Sequence, residues 1–109
     1  MTVRLYVWQR LTAALMAPLV VGHLIVIFYA TSAGLSGADI LGRTRGSVAW
    51  ALYYGAFVIL SAIHGAIGVR AVAGEWTSLR DRRLDALMWC FGVLLLLLGL
   101  RAVAAVVRP

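Results

Sequence analysis

Two histidines, His23 and His64, are the residues of this sequence best suited to chemistry, and each lies inside a long apolar run. An ionisable side chain in a membrane helix costs about 2.5–3.5 kcal/mol or more at the centre of the span and is a functional candidate by default. No cysteine cluster and no neighbouring carboxylate accompanies either histidine, since Cys90 is the single cysteine and stands within an apolar run as a packing residue. In such surroundings the commonest metal partner of an imidazole is a haem iron. The competing reading is a histidine hydrogen-bonded to a neighbouring helix. Around His64 the sequence runs Ser61-Ala62-Ile63-His64-Gly65-Ala66-Ile67-Gly68-Val69-Arg70. Gly68 is four residues on, hence on the same helical face, where it leaves room for a flat macrocycle. The same small residues also suit close helix packing. Arg70 is six residues further along, about 9 Å by helical rise, within reach of a propionate or a phosphate.

A second group of polar residues stands at the entrance to the first apolar run: Gln9, Arg10 and Thr12 offer hydrogen-bond donors at headgroup depth, where a quinone head can be held. Arg10 can equally be an interfacial arginine whose stem lies along the apolar surface. Glu75 and Trp76 follow the second run on the same side, and a carboxylate there is either a proton relay or a solvated charge.

The elements that position these residues follow from hydropathy. The chain has 109 residues, 63% of them hydrophobic and 13% charged, with a mean hydropathy of +0.96. A soluble domain is about half apolar, and one this small has too little interior to hide the excess. Three apolar stretches, at about 11–33, 48–73 and 84–107, each have the roughly 20 residues that cross a bilayer as a helix. They lack the period-two alternation of barrel strands. The expected fold is therefore all-α, one membrane domain of three helices. The first run has Arg4 and Arg10 before it and small residues after it, as a signal peptide would, but it is long for an h-region and we read it as retained. The connection at 34–47, GLSGADILGRTRGS, reads as a loop from its glycines and serines. The connection at 74–85 is charged and polar. Tyr6, Trp8, Trp50, Trp76 and Trp89 fall near the expected helix ends, where aromatic belts sit.

All ten basic residues are arginines, and the net charge is +6. On a soluble protein that charge would suggest nucleic acid. Here the arginines flank apolar runs, so lipid headgroups and topology account for them and no nucleic-acid partner is expected. Arg4, Arg10, Arg70, Arg80, Arg82 and Arg83 fall on one side, against Arg43, Arg45, Arg101 and Arg108 on the other. The bias favours a cytoplasmic N-terminus.

Two local signatures resemble the cytochrome b membrane-anchor subunits of succinate dehydrogenase and fumarate reductase. One is Trp8-Gln9-Arg10-Leu11-Thr12-Ala13 entering the first helix. The other is His64-x-x-x-Gly68-x-Arg70 followed by Glu75-Trp76. The resemblance covers most of the chain and mixes features of the family's smaller and larger anchor chains. It implies that His64 gives one axial ligand to a haem b, with the other supplied by a second membrane-anchor subunit. It further implies that Arg70 meets a haem propionate, that Arg10 lies near a bound ubiquinone or menaquinone, and that an iron–sulfur subunit and a flavoprotein subunit dock on the cytoplasmic face of a bacterial inner membrane. The dicarboxylate chemistry would belong to the flavoprotein. Trp76 stands where the family often has tyrosine, and an indole N–H donates but does not accept.

His23 lies 13 residues from Arg10, about 20 Å by helical rise, so the two histidines are at different depths and suit different irons. Two-haem relatives take ligands from the first and second helices, which makes His23 a candidate for a second haem. Against this, Pro18 frees a backbone carbonyl five residues earlier, to which a structural histidine can bond. Other readings are an anchor for a different flavoprotein reductase, a non-redox structural subunit, and a transporter subunit. The last has little support from three helices with no broken pair.

Overall fold

The computed structural model describes residues 2–109, which form four helices: α1 (Val3–Ser32), α2 (Gly37–Thr44), α3 (Val48–Trp76) and α4 (Arg82–Val107). The three long ones are each long and apolar enough to span a membrane. They run side by side in a body 48 × 23 × 22 Å, matching the roughly 40–45 Å of a bilayer with its headgroups. The distribution of apolar residues is the reverse of a soluble protein's. The buried apolar residues are Ala62, Ala66, Ile67 and Leu84, whereas Phe28 and Leu97 are 74% and 62% exposed. In a membrane that surface is covered by lipid or by a neighbouring subunit.

The helices overrun the apolar stretches. Hydropathy marks the width of the hydrocarbon, but a helix continues until something caps it. At the start of α1 the Thr2 hydroxyl accepts from the Leu5 N–H, so Arg4, Tyr6, Trp8 and Arg10 all belong to the helix. Its end is a Schellman motif: Gly34, at φ +67°, donates to Thr31, while Leu35 donates to Ala30. Glycine takes that left-handed conformation without penalty. α3 likewise runs on to Trp76, which places Glu75 and Trp76 in its last turn rather than in a connection. Arg80 then caps that end, donating to the carbonyls of Gly74, Thr77 and Leu79.

The stretch 34–47 is not a loop throughout, because α2 lies within it. Ser36 and Asp39 form a reciprocal capping box, enough to start a helix among glycines. The Ser36 backbone N–H, then its hydroxyl, hold the Asp39 carboxyl below its ordinary value, with Arg43 adding to this. The lowered folded-state pKa means that this cap is complete at neutral pH and weakens as pH falls through it. α2 is fastened to the end of α4: buried Thr44 donates to the Val106 carbonyl at 2.6 Å, and the Gly46 N–H to Val107 at 2.7 Å.

α3 is the central helix, packed on α1 along one side and on α4 along the other. The α3–α4 seam is built of small residues. A Cβ on Gly92 would lie 3.1 Å from the Ala66 Cβ, and one on Gly99 would collide with Val58. Backbones approach this closely in membranes because helix association there depends on van der Waals contact. Gly99→Leu should therefore weaken the bundle by about 1–3 kcal/mol, the cost of overpacking against a stiff β-branched side chain. Leu97→Ala, on the lipid-facing surface, should do much less. Thermal unfolding of the two variants in detergent compares them, and equal stability would contradict the seam. On the α1 side, Gly22 admits Tyr53, whose hydroxyl donates to the Leu19 carbonyl.

Candidate functional site

The α1–α3 interface holds a small polar cluster near the end of the bundle that carries the N-terminus. Thr12 is fully buried. Its hydroxyl oxygen is 2.8 Å from the Trp8 carbonyl, 3.1 Å from the Gln9 carbonyl and 3.1 Å from His64 Nδ1. The contact with His64 spans 52 residues of sequence and fixes the imidazole against α1.

His64 is also a wall of an open, mostly apolar groove of about 510 Å³ that includes Gln9, Gly65, Gly68, Val72 and Trp76. Only Nδ1 of His64 has a hydrogen-bond partner. Among the described residues the one buried side-chain polar atom lacking a partner is Gln9 Oε1. The unpartnered Nε2 is therefore accessible, not sealed in. Gly68 lies one turn beyond His64 on the same wall, and a Cβ there would meet only the Gln9 amide, at 3.4 Å. Any larger side chain would narrow the groove. Gly65 serves the packing instead, since a Cβ on it would sit 3.0 Å from Leu95. A free imidazole nitrogen with a glycine beside it on the same wall is an arrangement that a flat macrocycle would fit. Buried polar groups are ordinarily paired, so the Gln9 orphan is itself a sign of a missing partner.

Of the remaining sequence candidates, Trp76 lines this groove and the others lie outside it. Trp76 shares it but is 83% exposed. Arg10 is exposed beside Gln9, with its guanidinium 5.9 Å from the centre of the Tyr6 ring. Arg70 pairs with Asp85 of α4, Nε to Oδ1 at 2.9 Å, and with Glu75 and Arg80 it lines a separate groove of about 250 Å³. Thr12 has no exposed surface from which to touch a quinone head; its hydroxyl can act on a ligand only through His64.

A family model described as succinate dehydrogenase/fumarate reductase transmembrane subunit matches residues 1–100. The chain belongs to that family. No curated protein and no solved structure matches it. As a transmembrane subunit of the succinate dehydrogenase/fumarate reductase family, it is a multi-pass membrane protein and a membrane anchor of such a complex.

In this anchor subunit the two histidines have different surroundings. The His23 Nδ1 is 3.3 Å from the Tyr54 hydroxyl, and its ring meets Tyr54 and Phe57 edge-on. Its partner is thus a side chain of α3 rather than a carbonyl released by Pro18. It lines a third groove, of about 470 Å³, with Thr44, Ser61 and Gly99. Among the described residues no three or more His, Cys, Asp or Glu side chains gather into a metal-binding group. Axial ligation of a haem asks this chain for a single imidazole, so that donor set is no obstacle. Tyr54 and Asp85 are absent from the sequence reading, and Thr12 enters it as a quinone-site donor rather than as the partner of His64, because nothing in local spacing pairs residues from different helices.

Proposed function

We propose that this anchor subunit supplies His64 Nε2 as one axial ligand of a haem b and passes electrons from an iron–sulfur subunit to a membrane quinone. The observation that carries the reading is the state of His64: tied at Nδ1 by Thr12, and open at Nε2 onto a groove relieved by Gly68. A metal-bound histidine ordinarily has its other ring nitrogen hydrogen-bonded. A haem held there supplies one-electron transfer. The chain's own residues would bind and orient: His64 would fix the iron's depth, Gly68 would leave room for the ring, and the Gln9 amide nitrogen beside Gly68 could donate to a polar substituent. Arg70, on α3 and paired to Asp85 of α4, would lend its charge to a propionate.

The second axial ligand would come from a second membrane-anchor subunit, because this chain brings one histidine to the groove. Arg10, with Gln9 and the Trp76 indole, would hold ubiquinone or menaquinone at the same end, and Glu75 would carry protons to it. The six arginines at that end support a cytoplasmic N-terminus in a bacterial inner membrane, with the iron–sulfur and flavoprotein subunits on the cytoplasmic face.

His23 has a structural role in this reading, locked between Tyr54 and Phe57, and the complex carries one haem. The test is haem per complex by pyridine haemochrome. The purified complex should give one haem, and His23→Ala should leave that number unchanged. Two haems, with one lost in His23→Ala, would assign His23 to a second iron. A complex without haem would overturn the proposal as a whole.

A further inference from the structure

Thr12 is fully buried, and its hydroxyl faces three groups with a single proton to offer. Two of those groups, the Trp8 and Gln9 carbonyl oxygens, can only accept. If the proton pointed at His64 Nδ1, the hydroxyl lone pairs would face two carbonyl oxygens at 2.8 and 3.1 Å with no donor between them. No water reaches a side chain with 0% exposure to relieve that repulsion. With the proton shared between the Trp8 and Gln9 carbonyls, a lone pair is left pointing at the imidazole, and all three contacts are satisfied only when His64 carries its hydrogen on Nδ1.

We propose that Thr12 is a positioning residue, whose hydroxyl accepts from His64 Nδ1–H and so holds the imidazole in the tautomer that leaves Nε2 unprotonated toward the groove. The inference rests on the reading of His64 as an iron ligand and adds what makes that imidazole ready to be one. Two consequences follow. The ring is pinned in both rotation and tautomer before any ligand arrives, so nothing must be reorganised at binding. The accepting hydroxyl also strengthens the imidazole as a donor, which favours the oxidised state of a bound iron. Without the hydroxyl, the imidazole proton is free to move to Nε2, where it competes with metal.

The test uses the whole complex with three variants of this chain. Thr12→Val removes the hydroxyl and keeps the shape; Thr12→Ser keeps the hydroxyl and removes the methyl; His64→Ala removes the ligand. In Thr12→Val the haem should bind about 10–100-fold more weakly. The haem that remains should show a raised midpoint potential and a shifted low-spin ferric electron paramagnetic resonance signal. Thr12→Ser should restore both. A Thr12→Val complex with wild-type potential and resonance, beside a His64→Ala complex that has lost its haem, overturns the Thr12 assignment alone. Equal damage in Thr12→Ser and Thr12→Val reduces Thr12 to packing and also overturns it. Haem retained in His64→Ala overturns the underlying ligand reading instead. The tautomer has a readout that needs neither haem nor a variant. Nitrogen-15 resonance of the histidine-labelled full chain in lipid vesicles should show His64 protonated at Nδ1, and protonation at Nε2 overturns the proposal even if Thr12→Val fails to accumulate.

Discussion

His64→Ala should abolish haem binding at this subunit while leaving the protein in the membrane. The two halves of that expectation have separate physical grounds. Insertion depends on the three apolar spans, and replacing one imidazole with a methyl group makes the middle span more apolar, not less. Packing loses the contact to Thr12, whose hydroxyl keeps its bond to the Trp8 carbonyl. The local penalty is therefore about 1 kcal/mol, the net worth of one hydrogen bond. Haem binding, in contrast, would lose the one coordinate bond that this chain supplies, and neither Gln9 nor Trp76 on the same wall offers a ligand for iron. The expected result is a complex with normal amounts of this subunit by immunoblot and no b-type absorbance attributable to this site. Unchanged haem content in the purified variant would remove His64 from the site. Loss of the protein itself would instead show the imidazole to be part of the fold, which the modest cost of the Thr12 contact does not predict.

The legible part of the molecule was what depends on one helix at a time. Three spans, their order and the short polar connections follow from where apolar runs start and stop. The placement of Gly68 one turn from His64 follows from helical periodicity. Helix ends were less accessible, because Thr2, Gly34 and Arg80 set them through backbone hydrogen bonds that hydropathy does not register. The helix within 34–47 had a local signal, Ser36 three residues before Asp39 ahead of Ile40 and Leu41, which the weight given to glycine content obscured. What the sequence could not carry is pairing across helices. Thr12 reads as an interfacial hydroxyl by position, yet α1 turns it inward onto His64. Arg70 reads as a cation free for a ligand, yet α4 brings Asp85 to within 2.9 Å. His23 reads as a ligand candidate by depth, yet α3 brings Tyr54 to its Nδ1.

Arg10→Ala should reduce quinone reduction about 10–100-fold in kcat/KM while the haem spectrum stays as in the wild type. The size follows from one hydrogen bond to a charged donor, worth about 1.5–3 kcal/mol when its partner is desolvated, with 1.4 kcal/mol to each factor of ten. The separation from haem follows from geometry. On α1, Thr12 and Gln9 face α3 and the His64 groove, whereas Arg10 is rotated one residue away to the exposed flank, stacked over Tyr6. A quinone held between this flank and a partner subunit would meet the guanidinium from outside and the Gln9 amide from inside. Removing Arg10 would then leave the imidazole, its Thr12 contact and the glycine-lined wall untouched. Arg10→Lys should recover only part of the activity, because an ammonium keeps the charge but lacks the planar pair of donors that can hold a carbonyl oxygen in a fixed direction. Steady-state quinone kinetics on the purified complex, with the reduced-minus-oxidised spectrum recorded on the same sample, measure both quantities. Wild-type kinetics in Arg10→Ala would reduce that arginine to an interfacial charge, and a parallel loss of haem would place it in the haem site rather than beside it.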